Sequence, residues 1–583
     1  MLAAIERILE LNANATGLNR LRILICSPSH TAANVITQRL GAILAPQHLF
    51  RLLDASRPTS TIPMALSPFC RLDENTGSFM LPTLAELFTF DVIVSTCSDC
   101  HLLYRAGFTN QQLRTQRLNI AQNACGQLQA CGVHASLDMF PPIMNPHFTH
   151  LFIDEAAQAT EAESLVALSV VADPVGSGVR KVDVALIGDP RQLSPRVFCT
   201  RAAEAGLGRS WMERLLRQRS DCTGGGSQTL LGPDMNLMES LLRFSLQSQN
   251  SLSLSHFLTV NYRGHPAFLA LPSALFYSDL LQCAPPVVAD AAAVPTNPGG
   301  VAKLQPREWL EKLRIVESLS SPLVPQMDDG GGDEVVLDEV LVPRKHYEFP
   351  IHFRGVIGKD VSVTVTSGFS ADSWQNREEA NAVVEIIKSL LSKEGGVAVD
   401  PRSIGVMAPF RGQVDLIRKL LRQQGFSSVD VGTIEDYQAK ECDVVVLSLT
   451  RSLEALIKHD IDRRLGVFGQ PKRSNVAMTR AENMFIVVGN PNTMMKHFIW
   501  RQFLMFCFRN GLHYGEKNDT FSCHSQGAVA TNNLLDLAAS IKERPSLQDE
   551  SEHTHEPTPP SQTNFDGVIV SSLERLLRSS NTL

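Results

Sequence analysis

The chain sets two adjacent carboxylates directly after a short apolar run, in Leu151-Phe152-Ile153-Asp154-Glu155-Ala156-Ala157-Gln158. A buried strand ending in Asp-Glu brings both groups to the carboxyl edge of a parallel sheet, where open α/β folds bind ligands. There Asp154 can hold Mg²⁺, a hard cation that takes oxygen ligands. Glu155 can orient or deprotonate an attacking water in phosphoryl transfer. Taken alone, the pair reads equally well as an acidic helix start. About thirty residues on, Val184-Ala185-Leu186-Ile187-Gly188-Asp189-Pro190-Arg191-Gln192-Leu193 reads as a second strand closing in a polar turn. From the neighbouring edge position, Gln192 can reach a terminal phosphate.

Two further motifs follow in order, Asn261-Tyr262-Arg263-Gly264-His265-Pro266 and Asn475-Val476-Ala477-Met478-Thr479-Arg480-Ala481. Together the four resemble motifs II and III, the tyrosine–arginine motif opening the second domain, and motif VI of superfamily 1B helicases. That group includes the nonsense-mediated-decay helicase. The resemblance is strongest to the Armitage-type branch, the RNA-silencing helicases first named from a Moloney leukaemia virus insertion. Phe148-Thr149-His150 before motif II and Gly355-Val356-Ile357-Gly358-Lys359-Asp360 carry that likeness, which extends from about residue 20 to 513.

The resemblance implies two tandem RecA-like P-loop NTPase domains, with ATP and Mg²⁺ between them and single-stranded RNA across their tops. By the same resemblance Tyr262 stacks on adenine, and Arg263 and Arg480 reach the γ-phosphate, a task suited to a planar, always-charged guanidinium. Asp189 belongs to the nucleotide side. Val431–Glu441 resembles motif V, placing Glu441 near the ribose, with Ala439 where relatives usually carry Gly. RNA contacts fall to Ser29 in Ser27-Pro28-Ser29-His30, to Thr96 and to Thr433. Hydroxyls and amides of this kind grip phosphates without reading sequence. The family further implies RNA-mediated silencing, Argonaute-type partners, a monomer, and a place in cytoplasmic ribonucleoprotein granules. Between Arg191 and Arg219 seven arginines face two acids, a composition that suits a nucleic-acid path or a solvated helix face equally well.

These residues need strands to carry them. Apolar runs rich in Val, Ile and Leu occur at 21–27, 91–96, 150–154 and 182–188, and again at 404–408, 429–433, 444–449 and 484–489. Each ends in turn residues, the pattern of strands buried on both faces of a parallel sheet. The series divide into an expected first domain over 1–255 and a second over 256–515. An acidic, glycine-rich insertion at 318–345 interrupts the second, and a polar, mostly disordered tail is expected over 516–583, with one amphipathic helix near 568–577.

With 583 residues, 44% hydrophobic and 19% charged, most of the length can bury a core. A net charge of −7 excludes a wholly basic binder but not a local basic groove. Twelve scattered cysteines, no secretory leader and no run long enough for a membrane span fit a soluble chain with free thiols. Cys97-Ser98-Asp99-Cys100-His101 matches a haem-attachment spacing, but it follows a buried strand and is set aside. Gly355–Asp360 imitates the end of a phosphate loop, but Phe353 stands where the first Gly belongs and Asp360 where Ser/Thr would ligate Mg²⁺. Thr223-Gly224-Gly225-Gly226-Ser227 has no Lys beside it and reads as a turn.

No Gly-x-x-x-x-Gly-Lys-Ser/Thr occurs in the 583 residues. The helical pattern Leu2–Leu9 resembles the helix that follows this loop in the family. The expectation is therefore a chain written without a preceding segment, or one that has lost the loop and with it most phosphate affinity. A non-catalytic RNA clamp and a DNA helicase of the same superfamily remain the alternatives.

Overall fold

A computed structural model describes residues 1–12, 20–131, 146–172, 181–221, 256–263, 266–283, 350–364, 372–392, 399–438, 440–509 and 512–515. The chain divides into two compact units, Met1–Leu230 and Leu231–Leu583. The 318–345 insertion, the 516–583 tail with its expected helix, the 223–227 glycine run and Ala439 lie outside the described residues.

The strands of the first unit are β1 Ile23–Ser27, β2 Leu49–Arg51, β3 Val92–Thr96, β4 His150–Ile153 and β5 Asp183–Leu186. They form one parallel sheet in the order β2-β3-β1-β4-β5. Side chains alternate between the faces of a strand, and here both faces are apolar. Leu24, Ile93, Leu151 and Ile153 pack with Leu103, Leu113 and Val170 on one side. Ile23, Ile25, Val92, Val94 and Phe152 pack with Ile5, Ala33, Ile36 and Leu40 on the other. The register sets Ile23 opposite Val92 and His150, so the three central strands run level. The opening helix Leu2–Asn12 is tied to the sheet through Asn12, which exchanges two 2.8 Å bonds with the Leu21 backbone. β5 is an edge strand and is only partly covered.

In the second unit two short pairs stand apart from the main sheet. β6 Val260–Asn261 runs parallel with β7 Gln282–Cys283, and β9 Asp360–Thr364 runs antiparallel with β10 Asp372–Asn376. The apolar runs expected from sequence become β11 Ile404–Ala408, β12 Asp430–Thr433, β13 Cys442–Ser448 and β14 Ala481–Gly489. Two strands extend the sheet beyond that expectation, β8 Ile351–Gly355 and β15 His513–Gly515. The six form a parallel sheet in the order β12-β11-β13-β14-β8-β15. Helices Arg377–Leu391 and Arg411–Gln423 bury Val383, Ile387, Leu390, Val414, Ile417 and Leu421 against β11 and β13. Among the described residues no helix is long and apolar enough to cross a membrane.

Candidate functional site

In the first unit the carboxylate pair sits where β4 ends. The Asp154 amide donates to Cys26 O at 2.8 Å, continuing the ladder one residue past the strand. Burial raises the Asp154 pKa above the ordinary carboxylate range, against the opposing pull of a backbone bond at Glu155. Glu155 has φ 53°, a left-handed conformation rare outside Gly, Asn and Asp. The chain therefore turns sharply after Asp154 and enters the short helix Ala156–Gln158, whose Gln158 Nε2 donates to Glu155 Oε2 at 2.8 Å.

The turn is fastened to the loop leaving β5. Ile187 N donates to Ile153 O and Ala156 N donates to Ile187 O, both at 2.8 Å. Gly188 follows at the closest approach, where a Cβ would meet the Ala156 and Ala157 amide nitrogens at 3.0 Å. Only glycine fits without moving backbone. Asp189 accepts from Arg191 N at 2.8 Å and from Gln192 Nε2 at 3.0 Å, and Gln192 N donates to Asp189 O. Asp154, Glu155, Asp189 and Gln192 are thus gathered at one sheet edge, with Gln192 resting on Asp189.

Ser29 and Thr96, the residues of this unit expected from sequence to contact RNA, follow β1 and end β3 and are each already engaged locally. Ser29 caps helix His30–Leu40, its Oγ accepting from Ala32 N at 3.1 Å. Thr96 is buried at the end of β3 and accepts from Asp99 N at 3.0 Å. His30 Nδ1 lies 3.3 Å from an Arg51 guanidinium nitrogen and 3.8 Å from Asp99. Burial drives its pKa down to about 4, so the ring is neutral near pH 7. Cys97 and Cys100 are buried in the core, and the Cys100 thiol is 3.2 Å from that of Cys26. These thiols behave as small core hydrophobes.

The second unit gathers a different set. Tyr262 is 83% exposed, its ring open to a partner. Next to it, Arg263 Nε lies 2.6 Å from Glu441 Oε1, and its NH1 donates to Thr479 O at 3.3 Å. Arg480 follows, buried at the start of β14, its Nε donating to Val476 O at 3.2 Å. Arg263 and Glu441 therefore meet although far apart in sequence, and Arg263 also reaches Thr479, the residue before Arg480. Thr433 ends β12, and its amide and hydroxyl both donate to Asp436 Oδ2, at 2.8 and 2.9 Å.

Sequence reasoning missed a buried polar network at the carboxyl edge of this second sheet. Glu379 is fully buried and accepts from Ser448 Oγ at 2.7 Å, Thr450 N at 2.8 Å and Asn376 Nδ2 at 3.3 Å. Burial outweighs these donors and raises its pKa to about 8. Gln413 joins through Asn376 and Ser448. Asp360 accepts from the amides of Ser452 and Leu453, so the Gly355–Asp360 stretch is a strand exit pinned to this network. Nearby, Arg451 makes two bonds to Asp460, at 2.6 and 2.7 Å, with the Trp374 and Phe410 ring centres each 4.4 Å from its guanidinium. The only sequence signal was a row of polar residues inside otherwise helical and strand-like segments.

A family model described as an AAA domain matches residues 237–492, and a second of the same description matches 109–200. RNA helicase Mov10l1 of Homo sapiens is 29% identical over 496 residues, covering 85% of this chain and 31% of that protein. MOV-10 of Gallus gallus is 27% identical over 508 residues, 85% of this chain and 42% of its own. Armi of Drosophila melanogaster is 28% identical over 518 residues, 88% and 36% respectively. The chain is thus similar to the MOV-10 and armi helicases over 85–88% of its length. It spans between 31% and 42% of the length of these three relatives. An arterivirus nonstructural protein 10 helicase aligns with 84% of this chain and 57% of its own at a TM-score of 0.28 and 11% identity, too distant to carry any inference. Two α/β units with parallel sheets agree with the fold class expected from the sequence.

Proposed function

We propose that the chain is the motor core of an RNA helicase that hydrolyses ATP with Mg²⁺ and uses the cycle to unwind RNA or remodel ribonucleoproteins. The supporting observation is the fastened turn, which fixes Asp154 and Glu155 beside the Asp189–Gln192 loop. The donor set suits Mg²⁺, which takes one or two carboxylates and fills its remaining positions with water and phosphate oxygens. Asp154 would hold the cation, whose positive charge offsets that of the phosphates. Glu155 takes the proton of the attacking water, and Gln192 leaves Asp189 to contact the terminal phosphate. In the second unit Arg263 and Arg480 are the candidate γ-phosphate donors, Arg263 exchanging Glu441 for that phosphate, while Glu441 turns to the ribose. Tyr262 offers its ring to adenine. Ser29, Thr96 and Thr433 hold the RNA backbone, since a hydroxyl that accepts one bond can still donate another.

By kinship with the MOV-10 and Armitage proteins, the process is RNA-mediated silencing, with Argonaute-type partners in cytoplasmic ribonucleoprotein granules and a monomeric motor. The functional division we propose is 1–255, 256–515 and a tail over 516–583. A second reading is an RNA clamp that binds without turnover. A DNA helicase is the third reading, because hydroxyls and amides that grip phosphates do not identify the sugar.

The deciding experiment is RNA-stimulated ATP hydrolysis by this chain and by Glu155→Gln, with single-stranded DNA alongside. The motor reading requires hydrolysis that falls by about 100-fold or more in the variant. RNA binding without hydrolysis in either protein selects the clamp, and stimulation by DNA alone selects the third reading.

A further inference from the structure

We propose that Phe198 is a stacking platform for an unpaired base of single-stranded nucleic acid, with Arg196 as its cationic flank. The inference deepens the RNA-binding reading above and rests on it. Phe198 is 85% exposed, whereas Phe50, Phe148, Phe152, Phe353 and Phe485 are buried. So exposed a ring leaves a face open to a second planar group. The ring is also not a free rotor, for the Arg196 guanidinium carbon lies 4.9 Å from its centroid. That packing orders the ring in advance and lowers the cost of placing a second planar group against it.

The surroundings select the partner. Phe198 lies on the segment that leaves β5 through Gly188 and Gln192 and leads to the helix Thr200–Ala202. Arg196, Arg201 and Arg209 are exposed on this segment, and its neighbour Cys199 is small. A lone ring among arginines is a poor apolar patch for a protein surface, which needs contiguous apolar area. It is a good site for a polyanion that carries planar bases. Farther along, Arg214 and Arg217 are paired to Glu161 and Glu213, so the arginine-rich run splits into an exposed part beside Phe198 and an ion-paired part. Every base has a π-face, so the platform tolerates any sequence, while arginine adds phosphate binding that depends on salt.

The test uses the full chain and two labelled single-stranded RNA oligomers, one of uridines and one of the same length with abasic residues, titrated by fluorescence anisotropy at several salt concentrations. Phe198→Ala should weaken binding of the uridine oligomer by about tenfold, a typical effect of removing one stacked base. It should leave the abasic oligomer and the salt slope unchanged. Phe198→Trp should restore the affinity. Arg196→Gln should instead flatten the salt dependence, by a slope of about 0.7 for each phosphate no longer held. Equal affinity of Phe198→Ala and the unaltered chain for uridine RNA would overturn the platform, as would an equal weakening on both oligomers. If the unaltered chain binds neither oligomer at any salt, the RNA-binding reading falls first and this one with it.

Discussion

Glu155 holds a left-handed backbone at φ 53°, a conformation that costs a non-glycine residue about 1–3 kcal/mol and persists only where its surroundings fix it. Those surroundings are the Ala156–Ile187 bond and the close pass of Gly188. Gly188→Ala should force those backbones apart and lower stability by about 1–3 kcal/mol, read from the urea midpoint. An unchanged midpoint would mean the pass is looser than the 3.0 Å approach implies. The acids and arginines of the site are legible in the sequence because their residue types name their chemistry. Their present partners are not. Nothing in Arg263 announces Glu441, because folding alone makes them neighbours. Ser29 resembles an RNA contact in sequence, yet a serine before a helical pattern is also a cap, and here it is one.

At the level of elements, β1, β3, β4, β5 and β11 to β14 are readable as apolar runs that turn residues interrupt. β2, with three residues and a buried Arg51, has no such run, and β8 carries His352 and Arg354. The polar residues in β8 break its apolar pattern, so it and the Gly355–Asp360 stretch after it look like loop until the neighbouring strand is seen. The helix Arg377–Leu391 hides a carboxylate in its first turn, Glu379, whose charge the fold suppresses. Its folded pKa, about 8, lies above the value of an exposed glutamate. The proton is therefore held more tightly in the folded state, and the associated stability is complete below about pH 4.3. It is lost as pH rises through about 8. Chemical denaturation between pH 5 and 8 should show stability declining across that window, with a shallower decline in Glu379→Gln. Parallel profiles for the two proteins would show that Glu379 is ionised throughout.

For the molecule as a whole, each unit carries its own core, because the apolar layers that cover each sheet come from within residues 1–230 or within 231–583. Chains built this way often unfold in more than one step. Urea unfolding should resolve two transitions, with Gly188→Ala moving one and Glu379→Gln at pH 8 moving the other. A single transition shifted by both variants would show the units to be one cooperative body. The overall charge of −7 says little about where nucleic acid would bind, because it is a sum over the chain, whereas binding follows local clusters such as Arg196, Arg201 and Arg209 after β5. The two loops at the carboxyl edge of the first sheet share one amide bridge, Ala156 N to Ile187 O. In mechanical terms they are a single crank. A backbone path of one hydrogen bond and a few peptide units thus runs from Asp189 to Glu155, with no side chain needed in it.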